Sequence, residues 1–305
     1  MKRTDRRPGN LEDWNDMNKK FWALLLALAM TLSLAACGGN DAAEDTAADD
    51  TQTEETTDAA ETTESDLAYV QDKGTLVVGI TYFAPMDYKA EGSDEWIGFD
   101  ADMAKAFAES LGVDVEFQEI TWDYKVEELN SKAIDCVWNG MTLTDEVTAA
   151  MGTSTPYCTN YQTLVYSADR AADFEGLTSL EGLNIAVESG SAGEDAAEAL
   201  GAATVPVQAQ ANALMEVAAG TSDAAVIDVL MAAEMTGEGT SYADLTYSLN
   251  LNDAQDLPSE EYGVGFRLGS DLVDAFNTFW AEKIADGTVL EVATTYGLQD
   301  AAILE

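Results

Sequence analysis

Two stretches of this chain alternate short apolar runs with helix-periodic segments, and that alternation limits the fold more than any other feature. In the first, the β-branched run Leu76-Val77-Val78-Gly79-Ile80 reads as a buried strand ending at the aromatic turn Thr81–Met86. Gly98-Phe99-Asp100 then opens a helix with apolar positions at Phe99, Met103, Ala106 and Phe107 that stops at Gly112. A strand over Val113–Phe117, a helix holding Val126 and Leu129 after Trp122, and a strand over Ile134–Trp138 complete the series. In the second stretch, strands are expected at Asn184–Val187, Thr204–Val207 and Asp223–Ile227. Between them lie helices after Ser189-Gly190-Ser191 and over Ala209–Ala219. Strand, helix, strand, helix, strand at this spacing predicts a doubly wound parallel lobe, so the chain is expected to be α/β with two such lobes.

Within the first series, Ile134–Val147 (IDCVWNGMTLTDEV) stands out as a functional edge. A short apolar run breaks into Asn139-Gly140, then offers hydroxyls at Thr142 and Thr144 before Asp145 and Glu146. This reads as a buried strand whose carboxyl end opens into a polar loop and a helix start. Ligands in open α/β sheets sit at the carboxyl ends of strands.

The region before Leu67 has a different character. Lys19-Lys20, the apolar run Phe21–Leu34 and the small pair Ala35-Ala36 before Cys37 form an export signal over residues 1–36, for which Met17 is a better start than Met1. Leu34-Ala35-Ala36-Cys37 resembles a bacterial lipobox, which implies cleavage before Cys37 and a lipid on its sulfur. Lipid chains anchor at ~0.8 kcal/mol per buried CH₂. From Asp41 to Asp66 there are eleven carboxylates and no Lys or Arg. Such a segment cannot bury enough apolar surface to offset its ordering entropy, so residues 37–66 are read as an extended tether. The other acidic residues are expected on the solvated surface.

With a formal charge of −43, the chain is a poor partner for nucleic acid or an anionic bilayer. Histidine is absent, which removes the commonest general base and metal ligand. No cofactor is indicated. Removal of the signal would take six of the 14 basic residues and leave Arg170 and Arg267 as the only arginines. Cys136 and Cys158 are open to two readings, a disulfide or separate buried thiols.

In order and spacing, GTLVVG, FAP, GFDADMAKAFAESLGV, IDCVWNGMTLT, Pro156-Tyr157, LEGLNIAVESGS, SDAAVID and YGVGF resemble the bacterial extracellular solute-binding proteins of family 3, the amino-acid-binding receptors of ABC importers. The similarity runs from about Gly74 to Leu298. It implies a type II periplasmic-binding-protein-like fold, two α/β lobes joined by a two-strand hinge that closes on a ligand. The crossings fall near Tyr157–Tyr161 and Ser259–Gly263. Lobe 1 is then 67–160 plus 260–305, and lobe 2 is 161–259. Carried over by position, the aromatic platform falls on Phe83 and Trp122, and the hydrogen-bonding turn on Asn139, Gly140 and Thr142. The second lobe would supply Ser191 at a helix start and the carboxylate Asp228 for a ligand amine. Glu188 aligns near the ligand at a position often apolar in the family. On the residues alone, Phe83 and Trp122 read as core, and Asp228 has the alternative reading of a helix cap.

The sequence departs from the family at Val147, where members binding α-amino acids usually place an arginine within T-x-T-x-x-R. A site with acids, aromatics and no arginine is expected to prefer an amine, a quaternary ammonium, or a zwitterion held by hydroxyls and backbone N–H groups. The resemblance thus implies a monomeric, lipid-anchored, extracytoplasmic receptor that delivers a small solute to a membrane permease. Two other readings stay open: a cyclohexadienyl dehydratase-like enzyme using Asp228 and Glu188, and a sensory module feeding a receptor.

Overall fold

The structure, a computed structural model, describes residues 65–305. The export signal, the alternative start Met17, Cys37 and nearly all of the acidic tether lie outside the described residues. Among those described, no helix is long and apolar enough to cross a membrane.

Order starts slightly earlier than the composition suggests. Helix α1 spans Asp66–Lys73, capped by the Ser65 hydroxyl, which accepts from the Ala68 N–H, and closed by Gly74 in a left-handed conformation. Asp271 fixes its start, accepting from the Ser65 hydroxyl at 2.5 Å and from the Leu67 N–H at 2.9 Å. Asp66, expected at the end of the tether, is instead buried and paired with Arg267 at 2.9 Å. A guanidinium inside the protein needs a nearby carboxylate, and α1 carries one to it.

The first sheet then assembles. Strand β1 (Thr75–Ile80) is followed by a small hairpin of β2 (Tyr88–Lys89) and β3 (Trp96–Ile97), helix α2 (Phe99–Leu111) and β4 (Asp114–Glu119). A single 3-10 turn at Trp122–Tyr124 leads into α3 (Lys125–Asn130), then β5 (Cys136–Thr142), α4 (Asp145–Ala150), β6 (Gly152–Thr153) and β7 (Cys158–Asn160). The second series comprises β8 (Gln162–Ser167), α5 (Ala171–Phe174), β9 (Asn184–Glu188), α6 (Ala192–Ala199), β10 (Ala203–Val207), α7 (Gln210–Ala219), β11 (Ala224–Asp228), α8 (Val229–Met235), β12 (Leu245–Asn250) and α9 (Leu251–Ala254). The chain returns through β13 (Glu260–Phe266) and ends in α10 (Leu272–Ala285) and α11 (Thr288–Thr295).

Two mixed sheets result, ordered β4-β1-β5-β13-β6 and β10-β9-β11-β8-β12. In each, three parallel strands form one side: β1 runs parallel to β4 and β5, and β9 to β10 and β11. Antiparallel strands extend them, β13 against β5 and β8 against β11. The link between sheets is a pair of antiparallel segments, with Glu260 opposite Asn160 and Tyr262 opposite Cys158. The fold is therefore the expected type II arrangement, two α/β lobes with a two-strand hinge. The core of the first lobe is aromatic: Trp138 packs edge-on against Phe276 with centroids 5.0 Å apart, and Phe107, Tyr157 and Trp280 surround it. In the second lobe, Tyr166 stacks on Phe174 at 4.4 Å above Leu164, Ile185 and Val226.

One strand differs from its sequence reading. The expected break at Asn139-Gly140 is inside β5, which continues to Thr142. There β13 slips register between Gly263 and Gly265, so β5 passes through a bulge with Gly140 at φ +53°. The pair that resembles a turn locally is held in the sheet by long-range partners. Cys136 and Cys158 are both buried and unbridged, Cys136 on β5 and Cys158 on the hinge strand β7.

Candidate functional site

At the carboxyl ends of β5, β9 and β11, residues of both sheets line a cavity of about 500 Å³. From the first sheet come Trp122, Lys125, Asn139–Thr142 and the α4 start with Glu146 and Val147; from the second come Glu188, Gly190, Ser191, Asp195, Gln210 and Asp228. Seven of the eight residues singled out in the sequence therefore converge on one cavity. Phe83 does not line it. Its ring lies beneath Gly140, edge-on to Tyr262 at 6.3 Å, and a Cβ at Gly140 would sit 2.5 Å from it.

Convergence is not the same as availability, and the hydrogen bonds separate the two. The Asn139 side chain is fully engaged inside the protein: its oxygen accepts from the Thr81 N–H and hydroxyl at 2.9 and 2.8 Å, and its amide donates to the Thr81 carbonyl and to Asp87. Gly140 donates its N–H to Asp100 at 2.7 Å, and Tyr157 donates to the same oxygen at 2.8 Å. These residues shape the wall. Beneath it, burial pushes the Asp100 carboxyl up to about 7, opposed by those two donors, and burial with the Asp100 charge drives Asp87 up as well. Asp87 and Asp100 are thus corrections to the expectation that the remaining acids are solvated.

Asp228 sits at the end of β11 and is also heavily engaged. Its Oδ1 accepts from Asn160, from Gln162 at 3.0 Å and from Tyr262 at 2.8 Å, while its Oδ2 accepts from Gln210. Asn160 and Gln162 also donate to Glu260, as does Thr142 at 3.1 Å. Both hinge segments and the floor of the cavity are therefore tied through one network. Burial, then the Glu260 charge, raise Asp228 to about 7 against the pull of Tyr262, Gln210 and Gln162. Asp228 precedes α8 but makes no side-chain cap bond to it. Ser191 does cap, its hydroxyl accepting from the Glu194 N–H at 3.1 Å, and so aims the first turn of α6 at the cavity.

Two ionisable groups retain hydrogen-bonding capacity. Glu188, at the end of β9, is buried, and its Oε1 has no hydrogen-bond partner among the described residues. Burial and the Asp228 charge push it up to about 8, with Thr81, Lys125 and Gln210 opposing. Lys125, which the sequence reading passed over, is the only cation among the described residues that line the cavity. Its Nζ donates to the Gly190 carbonyl at 3.0 Å and the Trp122 carbonyl at 3.4 Å, and lies 5.0 Å from the Trp122 ring centroid. Burial lowers its pKa, against the pull of Glu188 and other acids. Six carboxyl groups (Asp123, Glu127, Glu146, Glu188, Asp195, Asp228) and no arginine share the lining. Val147 is in the wall, where the family resemblance puts an arginine. Gln210 was also passed over; a polar residue opening a helix after a strand end is the signal that pointed to it. Among the described residues no acidic or cysteine cluster is arranged to hold a metal ion.

Comparison with known proteins gives a consistent picture. The profile described as bacterial extracellular solute-binding proteins, family 3, matches residues 76–299. The chain is 30% identical to the L-cystine-binding protein TcyA of Bacillus subtilis, over 90% of this chain and 97% of that protein. It is 28% identical to the arginine-binding extracellular protein ArtP of the same organism, over 88% and 94%. Among solved structures, the ancestral amino acid-binding protein AncCDT-1, a precursor of cyclohexadienyl dehydratase, superposes with a TM-score of 0.66 at 31% identity, covering 76% of this chain and 99% of that one.

Proposed function

Because the chain belongs to the bacterial extracellular solute-binding proteins, family 3, we propose that it captures a small amine-bearing, amino-acid-like solute in the cavity between its sheets and hands it to an ABC permease without transforming it. The observation that carries this reading is the wall itself, in which six carboxyl groups and Trp122 face a single lysine and no arginine. Such a lining attracts a cation and disfavours a dicarboxylate.

Each site residue then has a role. The Trp122 ring offers its face to a cation or an apolar stem. Glu188, with Asp228 behind it, meets the ammonium through a charge-assisted hydrogen bond. Thr142 and Ser191 offer hydroxyls, and Ser191 presents the α6 start. Asn139 and Gly140 hold the wall in shape, with Phe83 supporting Gly140 from beneath. Lobe 1, residues 67–160 and 260–305 with α1 added at its front, closes on lobe 2, residues 161–259, by bending at β7 and β13. Outside the membrane, as a monomer, the receptor is held by a lipid on Cys37 and reaches its permease on the acidic tether.

A thermal-shift screen of amino acids, polyamines and betaines on the purified chain tests this. A ligand at ~100 times its Kd adds about 2.7 kcal/mol of apparent stability. Amine-bearing compounds are expected to stabilise the protein; tight binding of glutamate with no response to amines refutes the reading. Turnover of prephenate or arogenate would refute the non-catalytic part.

A further inference from the structure

The first passage from one sheet to the other is a single residue long. Strand β7 of the first sheet ends at Asn160 and β8 of the second begins at Gln162, so only Tyr161 stands between them. Both flanking amides turn toward the same two carboxylates. Asn160 Nδ2 donates to Asp228 Oδ1 and, at 3.0 Å, to Glu260 Oε2; Gln162 Nε2 donates to the same two oxygens at 3.0 and 2.8 Å. The four groups close a ring in which each amide nitrogen spans both acids. Asp228 ends β11 in the second sheet, whereas Glu260 opens β13 in the first. Three side-chain bonds therefore run from sheet to sheet beside the pivot: Asn160 to Asp228, Gln162 to Glu260, and Tyr262 to Asp228 at 2.8 Å.

Glu260 has the widest reach of these residues. Its Oε2 also accepts from Thr142 at the end of β5, at 3.1 Å, and its Oε1 from Asn252 Nδ2 in α9, at 3.4 Å. One carboxylate thus gathers both crossing segments, the cavity wall of the first sheet and a helix that follows the second. Beside a pivot, rotation changes angles more than distances, and hydrogen bonds weaken steeply once misaligned. Parting the sheets about Tyr161 must break these bonds.

We propose that Glu260 is the positioning residue of the hinge, closing a clasp over the pivot at Tyr161 that holds the two sheets against opening. It acts through Asn160, Gln162 and Thr142 and needs no contact with the solute. The clasp depends on the two-strand hinge alone and not on which solute is captured, so it stands apart from the amine reading.

Hydrogen exchange followed by mass spectrometry on the full chain tests the clasp. The lips of the cavity meet where Lys125 Nζ reaches the Gly190 carbonyl at 3.0 Å, so amide exchange over 121–126 and 188–194 reports opening, while the interiors of β1 and β9 report global stability. E260A is expected to speed exchange at the lips about tenfold, the range of a lost charge-assisted hydrogen bond, and to leave both strand interiors as they are. E260Q can set its side-chain oxygen in the Oε2 place before the same three donors, and should stay much closer to the wild type than to E260A. T142V cuts only the bond from β5 and should speed the lips about threefold. Lips and strand interiors accelerating by the same factor would show that Glu260 merely supports the fold. That result, unchanged lips in E260A or T142V, or an E260Q as fast as E260A overturns the clasp. If E260A fails to fold, T142V decides alone.

Discussion

Substituting Asp66 by Asn removes one charge from the buried pair that docks the first helix, and the surrounding structure sets the size of the effect. Arg267 receives three oxygens, Asp66 at 2.9 Å and the Leu129 and Ile134 carbonyls at 3.1 and 2.9 Å. A second carboxylate, Asp135, lies 3.6 Å from Nη2, but it is shared with Lys73 at 2.5 Å and with the Val77 N–H at 2.7 Å. Removing one partner of a buried pair typically costs about 3–5 kcal/mol. Asparagine still offers an oxygen to Nε, and Asp135 still neutralises part of the guanidinium, so D66N should lose about 2–3 kcal/mol. The assay is urea unfolding followed by tryptophan fluorescence, to which the core residues Trp138 and Trp280 contribute, with D72N on the exposed face of α1 as control. A surface change such as D72N should stay within about 0.5 kcal/mol. The two positions should also couple: D66N, R267M and the double variant are expected to give an interaction energy of about 1–3 kcal/mol. A D66N loss no larger than that of D72N would show that α1 is not docked by this pair, and that the sequence-based boundary at Leu67 was the physical one.

Two further consequences concern the cavity and its wall. Folding raises the carboxyls of Glu188 to about 8 and of Asp228 and Asp100 to about 7 from ordinary values near 4, so between those limits the folded ligand-free chain binds more protons than the unfolded one. Stability linked to these groups is full below pH 4 and lost as pH rises through about 7 to 8; the urea midpoint should therefore be lower at pH 8.5 than at pH 5.5, and E188Q should flatten part of that slope. The same linkage makes a cation release protons on binding near neutrality, visible as a buffer-dependent enthalpy in calorimetry; a midpoint that climbs with pH across this window contradicts the burial argument. Gly140→Ala places a Cβ at φ +53°, 2.5 Å from Phe83 Cε1 and 3.1 Å from Tyr262 Cε2. Strain and overpacking together should cost about 2–4 kcal/mol in the same unfolding assay, and a loss under about 1 kcal/mol would mean the β5 bulge yields freely.

The alternation of strands and helices was legible because it depends on local apolar periodicity, which each segment carries in itself. β1, β9, β11 and the helices from Phe99 and Ser191 lie within a residue or two of where their patterns put them. What was not legible depends on partners far away in sequence. Asn139-Gly140 resembles a turn because both residues favour one, yet Thr81, Asp87 and Asp100 draw the pair into β5 from 40 to 58 positions away. Asp66, Asp87, Asp100 and Asp135 are indistinguishable from the other acids in a chain with 57 of them, and only the tertiary structure sorts them into the interior.

Cations, by contrast, are scarce enough to be informative. From residue 65 onward the chain has only eight Lys and Arg residues, and Lys125 and Arg267 alone among them are buried. Their surroundings then diverge. Arg267 is met by two carboxylates supplied by the protein, so its charge is compensated in the folded chain and its role is to lock α1 and β5 together. Lys125 is met by carbonyls and a ring, and its nearest acids stand around a cavity instead of against it. Arg267 thus folds together with its counter-ions, whereas Lys125 is held by neutral groups at the wall of the cavity, so the two buried cations sit in opposite surroundings.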